Sequence, residues 1–546
     1  MFTTTKRAVA LVATVAMAGS LMALTVTPAL SDVPAPACGW PMYQHDASHT
    51  GAADSCATIT TANVATLAPR WFVNTNQVAV TATPIVVGNG LYVGDASGMF
   101  RSINATTGHV NWTKSLTDRH NTSYGAIVDS AAYDAGTVYV GSGGSMFALD
   151  SATGIVKWQT DTDAANPTSG AEVESSPVVV HLPNGATEIV AGNDANEHAG
   201  ADKNGVLAFD PSNGTILWRF EPERYTGQPG TGLAPDPSGA AADPGSGCGD
   251  VWSSVAYDSV DGSLIFGSGN CADPTSAKLG GTAVTTEAIW SIDAASGAYN
   301  WVRTQTAAEL ATYNEDDDFG SSAIVRYPAV GDPIVIEGNK SGFVYALDAK
   351  TGLVGQPGTW EKQVSQPGQS GPFAGAIGGF IGGGALGNAG STQAFFGLTA
   401  IGAPLKGSGV DPNTGQVYPD TSLLSDPTRA VSLHAVDVAT GKVLWQSPFS
   451  LPSYAPVTYA NGVLFGPSTV GFGMAAYDAS TGVPLWALPT AASMSGGAAI
   501  VDSNVYFGAG TSENSSLMIP SQVPPQAFGI WSFGIPSVPP AVPSVG

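Results

Sequence analysis

Positive charge is scarce in this sequence, with 19 Lys+Arg against 43 Asp+Glu and a formal net charge of −24. A surface of that sign repels nucleic acid and anionic lipid headgroups. Charged residues of both signs make up only 11% of the chain, beside 68 Gly and 38 Pro, so long helices are not expected. Cysteine is nearly absent: Cys38, Cys56, Cys248 and Cys271 are the four. None belongs to a CxxCH motif, which excludes covalent c-type haem, and no CxxC pair suggests structural zinc. Beyond the N-terminal region no apolar run is long enough to span a bilayer. The hydrophobic fraction of 43% supplies a core and argues against a disordered chain.

The N-terminal region itself reads as a secretory signal peptide, residues 1–31. Lys6 and Arg7 precede an apolar stretch over 8–26, and Ala29 and Ser31 offer small side chains at the −3 and −1 positions of a cleavage site. The competing reading is a membrane anchor, which the Ala- and Thr-rich composition and the cleavable sequence disfavour; Pro36 spoils a lipoprotein pattern before Cys38. The expectation is a secreted protein with no membrane span after signal removal. In an oxidising compartment an even cysteine count implies disulfides, and the spacing favours Cys38–Cys56 and Cys248–Cys271.

What the chain has is an internal repeat. DSATGIVKW (150–158), DPSNGTILW (210–218), DAASGAYNW (293–301), DVATGKVLW (437–445) and DASTGVPLW (478–486) share Asp, then Gly, then Trp at constant spacing. NATTGHVNW (104–112) starts with Asn104, and DAKTG (348–352) reaches its Trp late, at Trp360. The Asx side chain caps a tight turn and the Gly takes positive φ. Short β-rich runs flank each turn; in the first copy these are 83–87, 90–94, 99–103 and 109–112, four strands and hence one propeller blade. The spacing of the copies suits the roughly 40–50 residues of a blade repeat. A degenerate unit over 496–534 lacks the turn, and 67–73 offers its missing outer strand. The expected architecture is an all-β, eight-bladed β-propeller over 67–535, with tryptophan-docking repeats. An extension over 32–66 precedes it and a Pro-rich tail over 536–546 follows. A seven-bladed ring with an extra hairpin is the runner-up.

Antiparallel connection puts two kinds of loop on one face of such a ring: the loop leading into each inner strand and the loop leaving each second strand. On that face the sequence offers Glu172 and Glu174, then Asp250, Trp252 and Asn270, then Asp316, Asp317, Asp318 and Lys340. Hard oxygen ligands such as Glu172 and Asn270 suit Ca²⁺ better than a transition metal, and a carboxylate beside a Lewis acid can act as general base. The plain alternative is that acidic loops are ordinary in a chain of this charge and that Lys340 pairs with a neighbour.

At these residues the chain resembles the PQQ-dependent quinoprotein dehydrogenases, and among them polyvinyl-alcohol-dehydrogenase-like proteins. The turn repeat is similar to the family's tryptophan-docking motif. The resemblance implies Glu172, Asn270 and Asp318 at Ca²⁺, Trp252 stacked on the quinone, Lys340 at the quinone oxygens, and Asp318 as catalytic base. It implies oxidation of a small or polymeric alcohol by hydride transfer to PQQ, with electrons passed to an external acceptor. The chain departs from the family in having no adjacent cysteine pair, and Thr81 stands where a Glu is common. The alternative is a cofactor-free propeller serving as a binding or assembly scaffold.

Overall fold

Each Asx-Gly motif folds into the turn its residues demand. Asp150 Oδ1 accepts from the Thr153 amide at 3.0 Å and hydroxyl at 2.8 Å, and Gly154 turns with φ +70. Hydrogen bonds from the Ser212 and Ser480 hydroxyls hold Asp210 and Asp478 below the usual carboxylate range. The Trp ending each motif but the last then lies across the turn glycine of the next sheet. A methyl group on Gly154 would sit 2.7 Å from the Trp112 ring, and one on Gly352 2.5 Å from that of Trp301. The indole N–H completes the contact, Trp112 to Ser151 O at 3.0 Å and Trp301 to Ala349 O at 2.8 Å. Glycine is therefore required at the turn by both its dihedral and its neighbour.

The computed structural model describes residues 38–53, 57–116, 125–164, 170–194, 205–222, 249–269, 287–305, 318–364, 379–387, 393–397, 409–410, 417–418, 433–447, 453–469, 473–488, 492–511 and 528–536. These form an all-β propeller of antiparallel sheets. The expectation of eight four-stranded blades is corrected: seven sheets have four strands, and the first in sequence has five. In that sheet Gly39–Trp40 adds to the inner strand Ile85–Val87, ahead of Gly90–Val93, Met99–Asn104 and Val110–Ser115. A separate hairpin, Gly409–Val410 with Val417–Tyr418, completes the inventory among the described residues.

The last sheet shows how the ring closes. Its strands Ala499–Val501, Asn504–Ala509 and Gly529–Gly534 are joined by Ala68–Asn74 from the other end of the chain, with Phe72 opposite Trp531. Trp71 on that strand donates to Ala105 O at 2.9 Å, in the first sheet's turn. The outer edge of Gly529–Gly534 is thereby paired across the closure.

Residues 38–53, expected only as an extension, have a structural task. They run along the inner strands of five sheets: Pro41 O accepts from Tyr133 N, Ala47 O from Tyr257 N, Ser48 O from Val325 N, Thr50 O from Leu386 N and Gly51 O from Tyr459 N. The segment is a belt along the inner edges of these strands.

Two buried histidines make the fold acid-sensitive. Burial lowers His49, in the belt, to about 4, and His434, on the strand Leu433–Asp437, to about 3. Neither His434 ring nitrogen has a hydrogen-bond partner, and the ring stands edge-on to Phe380. The unfolded chain binds these protons below about pH 6.5, whereas the folded chain resists them until far lower, so stability falls as pH drops through that window. Thermal unfolding at pH 7.5 and pH 4.5 checks this. His434→Leu is expected to recover about 2 kcal/mol of the loss at pH 4.5, and an equal loss in wild type and variant would refute the assignment.

Candidate active site

The site is built from the segments that lead into three neighbouring inner strands. Each carries one buried apolar anchor beside a polar or aromatic residue. Val173 follows Glu172, Val251 precedes Trp252 and Phe319 follows Asp318, and all three anchors are buried. Each anchor packs on a glycine at the end of the preceding sheet's second strand. A methyl group on Gly141 would lie 2.7 Å from Val173, one on Gly192 2.2 Å from Val251 O, and one on Gly267 2.0 Å from Phe319 O. Close approach of backbone at these glycines sets the depth of each anchor, and with it the height of its neighbour at the mouth.

Asp318, Lys340 and Trp252 come together. Lys340 Nζ donates to Asp318 Oδ2 at 2.7 Å, with side-chain exposures of 11% and 6%, so this is a nearly buried, charge-assisted pair. The same Nζ lies 5.5 Å from the centroid of the Trp252 ring, within cation–π range. Lys340 N also donates to Asp318 O at 3.0 Å. Local sequence explains where Lys340 points. It sits inside an Asx turn in which Asn339 Oδ1 accepts from the Ser341 hydroxyl at 2.6 Å and from Phe343 N at 3.2 Å. Two further glycines shape the cluster. Gly320 runs under the indole, since a methyl group there would lie 1.8 Å from Trp252 Cη2. At Gly269 a methyl would be 3.2 Å from both Asp318 Oδ1 and Trp252 Nε1, which puts the carboxylate and the indole N–H about one small niche.

Glu172 is buried on the neighbouring sheet, held by an antiparallel bridge in which its N–H donates to Asp194 O at 2.5 Å and Asp194 N donates back at 2.9 Å. Asp250 is also buried, and its carbonyl accepts from Gly269 N at 2.8 Å. Among the described residues no three His, Cys, Asp or Glu side chains gather as a metal centre. Asn270, Asp316 and Asp317 lie outside the described residues, as do Cys56, Cys248 and Cys271, the signal segment 1–31 and the tail from 537.

Sequence reasoning missed a circle of hydroxyls just below the mouth. Gly497 N donates to Thr83 Oγ1 at 2.8 Å, Thr83 N to Ser130 Oγ at 3.1 Å, and Ser130 N to Ser176 Oγ at 3.0 Å. Ser176 N then donates to Ser254 Oγ at 3.0 Å and Ser254 N to Ser322 Oγ at 2.9 Å. The signal was present in the Ser-Ser pairs at 175–176, 253–254 and 321–322. In two of these pairs the first hydroxyl ties its own sheet, Ser253 Oγ donating to Gly267 O at 2.8 Å and Ser321 Oγ accepting from Gly338 N at 2.8 Å.

Comparison with known proteins bears on this architecture. The family model described as glucose/ethanol/alcohol dehydrogenase, beta-propeller domain, matches residues 40–366, which carry the whole described cluster. The chain belongs to that family. A second model, described as outer membrane protein assembly factor BamB, matches residues 387–517. The dehydrogenase subunit of a quinone alcohol dehydrogenase from Gluconacetobacter polyoxogenes is 27% identical over 54% of this chain and 42% of its own length. A polyvinylalcohol dehydrogenase from a Sphingopyxis species is 24% identical over 74% of this chain and 60% of its own. The chain thus spans about half the length of these curated relatives. Among solved structures, quinohemoprotein alcohol dehydrogenase from Comamonas testosteroni superposes with a TM-score of 0.68 at 20% identity, over 94% of this chain and 83% of that one. A europium-containing methanol dehydrogenase gives 0.69 at 16% identity, over 91% and 98%. These likenesses show the quinoprotein-dehydrogenase-like propeller fold.

Proposed function

We propose that this protein is a PQQ-dependent alcohol dehydrogenase whose reaction centre is the Asp318–Lys340–Trp252 cluster. The observation that carries the reading is a nearly buried ion pair set against an indole face. Structural stability alone seldom favours such a pair over apolar packing. The residues fit the group. A flat tricyclic quinone needs an aromatic surface and cationic donors for its oxygens, and Trp252 over Gly320 with Lys340 beside it offers both.

Alcohol oxidation releases a hydroxyl proton and a hydride; bound PQQ supplies the two-electron acceptor and Ca²⁺ the Lewis acid. Trp252 would hold the ring plane. Lys340 would donate a hydrogen bond at its oxygens. Asp318, anchored by Lys340, would take the hydroxyl proton, and burial would keep water from competing for that carboxylate. Glu172, Asn270 and Asp318 would hold Ca²⁺ through oxygen ligands. Electrons would leave to an external acceptor, since the sequence carries no haem-attachment motif. Export after removal of 1–31, disulfides Cys38–Cys56 and Cys248–Cys271, and a small or polymeric alcohol as substrate belong to the same proposal. Kinship with the Sphingopyxis relative favours a polymer. A cofactor-free assembly scaffold is the alternative, and it leaves the buried pair without a task.

The test mixes purified protein with PQQ and Ca²⁺, follows the quinone absorbance, and then assays dye-linked oxidation of alcohols and polyvinyl alcohol. A saturable spectral change with turnover supports the proposal. No spectral change and no turnover in the presence of Ca²⁺ favours the scaffold.

A further inference from the structure

The hydroxyl circle is interrupted at three sheets; in the last of them Gly497 supplies only its N–H. The segment leading into the inner strand Ala385–Leu386 reads Gly383-Gly384, and the one leading into Thr458–Ala460 reads Ala455-Pro456, so neither supplies a side-chain oxygen. The belt contacts both of these segments. The Tyr43 phenol hydrogen-bonds the Ser322 side chain and the Gly383 backbone, in space that a methyl on Gly383 would approach to 2.5 Å. Gln44 Nε2 donates to Gly384 O at 2.5 Å and to Val457 O at 3.1 Å. Gln44 is buried and takes φ +49 to reach them, while Ser322 itself stands at φ +60. Left-handed backbone at two non-glycine residues on one junction is a cost that the surrounding contacts must offset.

The members of the circle sit next to the site. Ser176 lies four residues after Glu172, Ser254 two after Trp252 and Ser322 four after Asp318. Each hydroxyl accepts the N–H of the adjoining sheet, so spacing between these site residues is transmitted through single oxygen atoms. We infer that Ser254, Ser322 and Tyr43 are positioning residues that set the separation of Trp252 and Asp318, with the N-terminal belt as the part that locks the circle. Removing one oxygen leaves a buried N–H without an acceptor, and the lead-in segments relieve that by moving apart. The inference rests on the dehydrogenase reading only for its kinetic consequence.

Three variants test it: Tyr43→Phe, Ser254→Ala and Ser254→Thr. Thr83 already fills this role in the first sheet, so threonine suits position 254, whereas the left-handed backbone at Ser322 disfavours a β-branched residue. With PQQ, Ca²⁺ and alcohol, Ser254→Ala and Tyr43→Phe are expected to lower kcat about tenfold with KM within about twofold, and Ser254→Thr to restore it. In the unliganded protein, amide hydrogen exchange at Ser176 should quicken at least about fivefold in Ser254→Ala, and exchange over 318–322 likewise in Tyr43→Phe, with Ser254→Thr at the wild-type rate. Unchanged exchange in Tyr43→Phe, or a threonine variant as impaired as alanine, overturns the inference. If wild-type protein oxidises no alcohol, the dehydrogenase reading falls alone, and the exchange rates still decide this one. Should Ser254→Ala fail to fold, Tyr43→Phe carries the same comparison.

Discussion

Asp318→Asn is expected to lower alcohol turnover by about a thousandfold, the order attributed to a well-placed general base. The change keeps the shape and one hydrogen-bond acceptor for Lys340, 2.7 Å away, and removes the charge and the basic oxygen. PQQ affinity should therefore stay within about tenfold of wild type, since the indole surface and the ammonium remain. The ammonium is nearly buried, so losing its counter-charge also costs stability, by about 3 kcal/mol for a broken buried pair. Steady-state kinetics, PQQ titration and thermal unfolding on the same preparation separate these effects. Turnover within about tenfold of wild type would remove Asp318 from the role of base.

Gly320→Ala is expected to abolish cofactor binding while leaving the propeller folded. Its new methyl would lie 1.8 Å from Trp252 Cη2, and three atoms of the indole lie within 2.6 Å of that point. A rigid indole cannot absorb such an overlap by a small rotation, so it must leave its place over the backbone, with overpacking costs of about 1–3 kcal/mol. Because the mouth is formed by segments outside the strands, the ladder hydrogen bonds need not change. The expected result is unaltered β circular dichroism with PQQ affinity reduced at least about a hundredfold, the loss of an aromatic stacking surface together with its cation partner. Wild-type affinity in Gly320→Ala would show that Trp252 is not the surface on which the quinone lies. Trp252→Ala, which removes the ring without forcing the backbone, should then bind equally well.

The repeat was legible because its physics is local. Asx capping, a positive-φ glycine and a Trp at fixed spacing act within nine residues, and the Trp meets the same glycine in the next copy. Pairing of 67–73 with the last sheet followed from a strand count that came out one short. The strand content of the first sheet did not follow, because Gly39–Trp40 is a two-residue strand with no pattern of its own and is made a strand only by its partner Val86–Val87. Lys340 and Asp318 could be put on one face by antiparallel alternation, whereas their 2.7 Å contact depends on how far Phe319 sinks against Gly267 in a sheet distant in sequence.

By itself, then, the sequence determined the blade unit, the order of the blades, the shared face of Trp252, Asp318 and Lys340, and the family resemblance. Each of these rests on short-range geometry or on alternation along a strand. Only the tertiary structure decided that Tyr43 and Gln44 bond the lead-in segments at Gly383, Gly384 and Val457, where no side-chain hydroxyl stands, and that serines in successive sheets hold one another's amides. Those contacts join residues up to several hundred positions apart, around a ring whose closure no local pattern encodes.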